Sequence, residues 1–247
     1  MFRRVTVAAL VGVLSGCALV TPTATPTPIQ STATPTAAPE PEPTFDATVF
    51  SIDDPMSIWV VANKRRPFTP LNFEPSDLVP ANVPYRTDPR LRATAAASYE
   101  VMFRAAESDG IQLLLQSAYR SYSTQVSVYN GWVNRLGADA ADLQSARAGH
   151  SEHQTGLSAD IAAKNGVCTI SECFGSTPEG IWLTNNAWKF GWILRYPEGL
   201  TGVTGYKYEP WHWRYVGRGL AAHLHENAPS ETLEEFFDLE AAPNYTN

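Results

Sequence analysis

The stretch that most limits how this chain can fold is residues 21–44, which are mainly Thr, Pro and Ala with almost no large apolar side chain. Such a segment cannot bury enough apolar surface to offset the loss of chain entropy, so residues 18–48 are predicted to form a disordered tether. Folding is thereby restricted to the residues that follow. Residues 49–239 are long and apolar enough for one domain with a single core, and residues 240–247 are predicted to be a flexible tail.

The N-terminus has the features of an export signal. Arg3 and Arg4 precede an apolar run, residues 5–14, that is too short for a comfortable membrane span. Residues 14–17 (LSGC) resemble the lipobox of bacterial lipoproteins, which predicts a signal peptide over residues 1–17 and lipidation of Cys17. The protein is then extracytoplasmic, and the lipid anchor on the outer face of the cell membrane is its only membrane contact. The alternative is an ordinary secretory signal with an incidental cysteine.

Two further cysteines, Cys168 and Cys173, lie close together in the chain. In an exported protein such a pair is predicted to form a local disulfide. A metal site is the alternative, but it is disfavoured because no other cysteine is available and no histidine lies near.

The charge balance limits the partners of the protein. Its 18 basic and 25 acidic residues give a formal net charge of −7. Nucleic-acid-binding surfaces are normally basic, so no nucleic acid is expected as a partner. A monomer is expected.

The pattern of apolar residues predicts an α+β fold, with a small antiparallel sheet flanked by helices. Helices and short strands mix without a regular βαβ rhythm, and this is the basis for that class. Asp88 and Pro89 are predicted to open the first helix, which Gly110 closes. Strands are predicted at 57–63, 111–117, 156–162, 191–196 and 211–216, and further helices at 123–136, 138–146, 179–189, 218–226 and 230–237.

Two polar segments hold residues suited to bind a metal. His153 and Asp160 lie in residues 151–160 (SEHQTGLSAD), and His212 lies in residues 209–215 (EPWHWRY). Two imidazoles and one carboxylate form a three-ligand set of the kind that catalytic zinc uses, with a fourth position left for water. A bend at Gly156 could bring His153 and Asp160 together. Alternatively, these two residues form only a structural hydrogen-bonded pair.

The same segments resemble a known family. Residues 117–122 (SAYRSY) with Gln125, residues 151–160 and residues 209–212 (EPWH) are similar to the three signatures of VanY-type D-alanyl-D-alanine carboxypeptidases. These are zinc peptidases related in core fold to D-Ala-D-Ala dipeptidases and the hedgehog domain. The resemblance implies one Zn²⁺ in a cleft over the sheet. It implies metal binding by His153, Asp160 and His212, catalysis by Glu209 as general base and by Arg120 at the scissile carbonyl, and substrate contacts from Arg120, Gln125, Ser151 and Trp211.

The implied activity is removal of the terminal D-Ala from peptidoglycan stem peptides by a D,D-carboxypeptidase. Other enzymes of similar chemistry stay open: an L,D-carboxypeptidase, a dipeptidase or an endopeptidase acting on cell-wall peptides. A non-catalytic, wall-binding zinc domain is a further alternative. Glu209 argues against it, because a pure binding module has little use for a general base.

Overall fold

The computed structural model describes residues 45–246. The predicted signal peptide, Cys17 and the tether as far as residue 44 lie outside the described residues. Within residues 45–246, no helix has the length and hydropathy that crossing a membrane requires.

Helices and short strands alternate irregularly along the described chain, and the predicted α+β class is confirmed. The strands are β1 (Leu78–Pro80), β2 (Arg90–Arg92), β3 (Leu113–Ser117), β4 (Ser158–Ala163), β5 (Trp192–Leu194) and β6 (His212–Tyr215). The α-helices are α1 (Ala93–Ser108), α2 (Tyr122–Leu136), α3 (Ala138–Asp142), α4 (Pro178–Asn186), α5 (Thr201–Thr204), α6 (Arg218–Asn227) and α7 (Leu233–Phe236).

A four-stranded antiparallel sheet in the order β3-β4-β6-β5 forms the centre of the fold. In its central pair, Asp160 of β4 lies directly opposite His212 of β6, and Ala159 lies opposite Trp213. Opposed residues of an antiparallel pair point to the same face. One face therefore presents Asp160 and His212, and on the other Trp213 is buried in the main core.

Helix α1 covers the core and begins later than predicted. Its buried side includes Tyr99 and Met102, neither of which is exposed, and Gly110 follows its end with φ 78° as expected. Residues 90–92 are extended because they pair with β1, with Leu91 fully buried opposite Val79. That pairing delays the helix to residue 93.

Residues 57–63 are buried, or half-buried at 57 and 58, but do not form the predicted strand. Their backbone oxygens accept hydrogen bonds from arginine side chains instead of from a neighbouring strand. Arg214 Nη2 donates to Ile58 and Val60, at 3.0 and 2.9 Å, and Arg66 Nε donates to Val61 at 3.0 Å. Burial of an irregular segment is possible here because its polar groups are satisfied.

Both ends of the described chain pack on the domain. Residues 240–246 were predicted to be a flexible tail, but Ala242 is fully buried and its amide donates to Val203 O at 2.7 Å. Tyr245 Oη accepts a hydrogen bond from the Arg147 amide at 2.7 Å. At the other end Phe45, predicted to belong to the tether, has its ring centroid 5.7 Å from that of Trp59.

Candidate active site

Three of the predicted side chains converge in a buried cleft on one face of the sheet. His153 comes from a 3-10 helix (Glu152–Thr155), Asp160 from β4 and His212 from β6. Each offers a ligating atom, and these atoms lie within 4.8 Å of one another. Gly156 makes the predicted bend with φ 66°, and a Cβ there would lie 2.6 Å from Leu78 Cδ2. Glycine at this position therefore lets the chain turn from the 3-10 helix into β4 without backbone strain and without displacing Leu78.

Hydrogen bonds determine which nitrogen of each imidazole faces the centre of the cluster. His153 Nδ1 lies 2.7 Å from Ala118 O, which can only accept, so Nδ1 carries the hydrogen and Nε2 faces Asp160 Oδ2 at 3.3 Å. His212 is turned the other way. Its Nδ1 lies 3.2 Å from Asp160 Oδ1, and its Nε2 lies 3.4 Å from Glu152 Oε2. In each ring one nitrogen is thus held by a hydrogen bond to Ala118 or Glu152, and the other points at the centre of the cluster.

The electrostatics of the cluster suit a cation. Burial alone would lower the pKa of His212, but hydrogen bonds to Asp160 and Glu152 raise it to about 9. Burial lowers the pKa of His153. Burial would raise the pKa of Asp160, yet His153 and His212 hold it well below its usual range. Two imidazole nitrogens and an ionised carboxylate at this spacing are a donor set that fits zinc.

Glu209 lies beside the cluster and lacks a strong partner. Its Oε2 is 4.0 Å from His212 Nδ1, and within residues 45–246 its carboxylate accepts no hydrogen bond. The side chain is 11% exposed, and burial raises its pKa to about 8. The backbone holds it in place, because its amide donates to Tyr196 O and its carbonyl accepts from the His212 amide, each at 3.0 Å. A buried carboxyl with a pKa near neutrality is suited to accept and return a proton.

Arg120 follows β3 and is held from several sides. Its amide donates to His153 O at 3.1 Å, and its guanidinium donates to Gln125 Oε1 at 2.8 Å and to Ser117 Oγ at 3.0 Å. Its Nη2 also lies 3.7 Å from Asp160 Oδ2. A positive charge is thereby fixed at the edge of the cluster, facing the cleft.

Comparison with known proteins adds to this geometry. The profile of the VanY family, described as D-alanyl-D-alanine carboxypeptidase, matches residues 88–218. The chain belongs to the VanY family. YodJ of Bacillus subtilis (strain 168), which is named as a carboxypeptidase, is 39% identical over 193 residues, covering 76% of this chain and 70% of YodJ.

Two solved structures illustrate the range of proteins that this chain is similar to. The LdcB LD-carboxypeptidase is 39% identical with a TM-score of 0.69, over 75% of this chain and 87% of that one. A mutant of the vancomycin-resistance D,D-pentapeptidase VanY in complex with Zn(II) is 28% identical with a TM-score of 0.61, over 72% and 97%. The fold around this cleft is thus shared by proteins named for cutting different bonds.

The remaining predicted contacts of this VanY-family member divide into two groups. Ser151 and Trp211 line the cleft. Gln125 does not, because it is fully buried and its Nε2 donates to Ser145 Oγ and Ala146 O, at 3.1 and 2.6 Å. Gln125 therefore holds Arg120 from behind, contrary to the predicted substrate contact.

Several aromatic and apolar side chains that line the cleft were not predicted. On α2, Val128 and Trp132 are four residues apart and share the face that carries Gln125, a helical spacing that could have indicated them. The Tyr196 ring lies 4.9 Å from the His212 ring. The others lie outside the helices and strands of the structure, although Tyr196 falls within the strand predicted at 191–196: Ile170, Tyr196 and Tyr206.

Behind His212 lies a buried ionic network that was also not predicted. Glu152 is 1% exposed and accepts hydrogen bonds from Arg195 Nε and Arg214 Nη1, each at 2.8 Å. Arg195 continues to Glu234 of α7, donating at 2.8 and 2.6 Å. Burial alone would raise the pKa of Glu152, but the two guanidinium groups hold it well below its usual range. The network thus places a fixed negative charge against His212 Nε2.

Proposed function

We propose that this chain is a zinc-dependent D,D-carboxypeptidase that removes the terminal D-Ala from peptidoglycan stem peptides outside the cytoplasm. The observation that carries the proposal is the convergence of the ligating atoms of His153, Asp160 and His212 within 4.8 Å, beside the Glu209 carboxylate, which receives no hydrogen bond from the described residues 45–246. Three protein ligands leave a position open for chemistry, as in catalytic rather than structural zinc sites. The complex of a related VanY with Zn(II) supports the choice of metal.

The proposed metal ligands are His153 Nε2, a carboxylate oxygen of Asp160 and His212 Nδ1, the atoms that face one another. Zinc held there supplies a Lewis acid for the scissile carbonyl and makes a water molecule more acidic. Glu152 is a positioning residue for His212. An imidazole that donates its second nitrogen to a carboxylate is fixed in tautomer and orientation.

Glu209 is proposed to move the proton. Its carboxylate takes a proton from the attacking water and delivers it to the amine of the departing D-alanine, so that the group ends as it began. Arg120 is proposed to compensate the negative charge that develops on the carbonyl oxygen, or to bind the terminal carboxylate. Its support by Gln125 and Ser117 means that little reorganisation is needed when that charge appears. Ser151 and Trp211 form walls of the cleft for the peptide.

A second candidate is an L,D-carboxypeptidase that acts on tetrapeptide stems. The LdcB LD-carboxypeptidase resembles this chain more closely than the VanY–Zn(II) structure does, with 39% against 28% identity and a TM-score of 0.69 against 0.61. Both candidates use the same metal and proton chemistry, and they differ only in the residue on the N-terminal side of the bond.

Product analysis separates the two candidates. The purified protein is incubated with tetrapeptide and pentapeptide stems, with and without a chelator, and the products are weighed by mass spectrometry. Loss of one alanine from the pentapeptide alone, abolished by chelation and restored by Zn²⁺, is the expected result. Cleavage of the tetrapeptide alone would establish the second candidate, and no cleavage of either would remove the peptidase proposal.

Lipidation of Cys17 and a monomeric state stay predictions. Mass spectrometry of the membrane-bound protein tests the first, and light scattering tests the second.

A further inference from the structure

The loop between β4 and α4 carries an isoleucine into the cleft. Ile170 lies within the ring closed by the Cys168–Cys173 disulfide, which the structure forms as predicted. Its side chain lines the same cleft as the three proposed ligands, and the residue is 40% exposed. Among the described residues it belongs to none of the buried apolar clusters. Packing of the core therefore does not explain an isoleucine at this position.

The backbone conformation of Ile170 is unusual for its residue type. Its φ is 50°, and that of Cys168 is 54°. A side chain branched at Cβ rarely adopts positive φ, because Cβ then crowds the backbone, whereas Asn adopts this conformation more readily. Strained residues persist only where surrounding structure enforces them, and they cluster at functional sites. An exposed, strained isoleucine in a cleft therefore points to a contact with a ligand.

The disulfide closes this loop covalently. The hydrogen bonds of the loop include one from Thr169 Oγ1 to Gly166 O at 3.0 Å and one from the Phe174 amide to Ser171 O at 2.9 Å. The ring is tied at its two sides, because Cys168 packs against the main core and Phe174, next to Cys173, is fully buried. Between these points the disulfide closes the segment that carries Ile170.

We propose that Ile170 is a specificity-determining residue whose side chain packs against the aliphatic atoms of the stem peptide beside the scissile bond. The Cys168–Cys173 disulfide holds it there. The inference rests on the proposed peptide substrate. Arg120 and Glu209 give the cleft its polar side, and Ile170, with Trp132 and Trp211, gives it an apolar wall. A stem that ends in alanine presents methyl groups that such a wall can cover.

The test is peptide affinity in a background with strongly reduced turnover. Binding of the pentapeptide and tetrapeptide stems to the full chain carrying Glu209→Gln is measured by calorimetry, with and without Ile170→Asn. The expected result is a Kd about tenfold higher with Ile170→Asn, the size of effect that loss of one apolar contact produces. The thermal midpoint should stay the same or rise, because Asn tolerates the backbone conformation.

Val167→Asn is the matched control, since Val167 is 53% exposed in the same segment and does not line the cleft. It should leave Kd unchanged. Cys168→Ser with Cys173→Ser should raise Kd several-fold, but it should add nothing once Ile170→Asn is present, because both changes remove the same contact.

Three results would overturn the inference: equal Kd values for Ile170→Asn and its parent, strictly additive losses from the disulfide and Ile170 variants, or no binding of either peptide by the parent. Whether the wild-type protein cleaves the peptides is judged separately by product analysis. Failure of the proposed activity and failure of this contact therefore give different results.

Discussion

The two glutamates beside the His212 ring, Glu152 and Glu209, lie in opposite electrostatic surroundings. On the Nε2 side, Glu152 is surrounded by Arg195 and Arg214, and its pKa is held well below the usual range. On the Nδ1 side, Glu209 is also buried, with its side chain 11% exposed, but it accepts no hydrogen bond within residues 45–246, and its pKa is raised to about 8. Two carboxylates next to one imidazole are thus separated in proton affinity by their surroundings. Such a separation distinguishes a group that supports a site from one that exchanges protons there.

The strongest test of this contrast is Glu209→Gln. We expect kcat to fall by about 10³-fold, within the range attributed to general acid–base groups. The amide cannot take up a proton, but it fits the same space. Zinc content, measured by mass spectrometry, should not change.

Glu198→Gln provides the control, because Glu198 is exposed and lies outside the cleft. It should retain wild-type kcat. If kcat of Glu209→Gln stays within tenfold of the wild-type value, the contrast fails, because the general base must then lie elsewhere.

The supporting side is tested by Glu152→Gln. This change leaves two buried guanidinium groups facing a neutral amide, and we expect the free energy of unfolding to fall by about 3 kcal/mol or more. Urea denaturation gives the value. Glu209→Gln serves as the comparison and should not lower stability. Equal losses from the two variants would mean that the two carboxylates have the same role.

Glu234→Gln sharpens the same contrast. Arg195 keeps Glu152 but loses one of its two carboxylate partners, so we expect a smaller loss of about 1–3 kcal/mol. Because Glu234 lies on α7 and does not line the cleft, kcat should stay near the wild-type value. A large fall in kcat with unchanged stability would show that the network acts on the chemistry directly.

The contrast also predicts that the stability of chelator-treated protein depends on pH. The pKa of Glu209 rises from its usual 4.5 to about 8 in the folded state, so the folded protein binds this proton more tightly than the unfolded chain does. The protonated Glu209 carboxyl therefore contributes its full stabilisation below about pH 4.5. As pH rises to about 8 this contribution is lost, and the free energy of unfolding falls by at most about 1.4 kcal/mol per pH unit. Glu209→Gln should lack this loss, so its unfolding free energy should diverge from wild type as pH rises. Parallel curves would contradict the raised pKa.

The residues of the site were predicted mainly through the resemblance of residues 117–122, 151–160 and 209–212 to the VanY-type signatures, because the spacing of His153 and Asp160 alone also fits a structural pair. His153 and Asp160 are separated by a glycine that allows a bend, and His212 lies in an alternating segment that folds as β6. The sheet and α2 followed from apolar pattern alone. The bend and the secondary structure depend on residues close together in the sequence, where periodicity and glycine placement carry information.

The features that were missed depend on partners far away in the chain. Glu152 could be a solvated charge or a partner to an imidazole until Arg195 and Arg214 are placed beside it, 43 and 62 residues away. Residues 57–63 were predicted as a strand because nothing local shows that arginine side chains bind their carbonyl oxygens. Gln125 was assigned to the substrate because its burial behind Arg120 is a tertiary property.

The direct opposition of Asp160 and His212 across one strand pair has a consequence for how such proteins can diversify. The two residues are 52 positions apart in the sequence, yet their spacing is set by the ladder between β4 and β6. Insertions or deletions in the intervening chain, which includes the disulfide ring and Tyr196, would remodel the rim of the cleft while the ladder kept the reactive centre intact. Changes in which peptide bond is cleaved could then accumulate in the chain between β4 and β6 without any change in the β4–β6 pair itself.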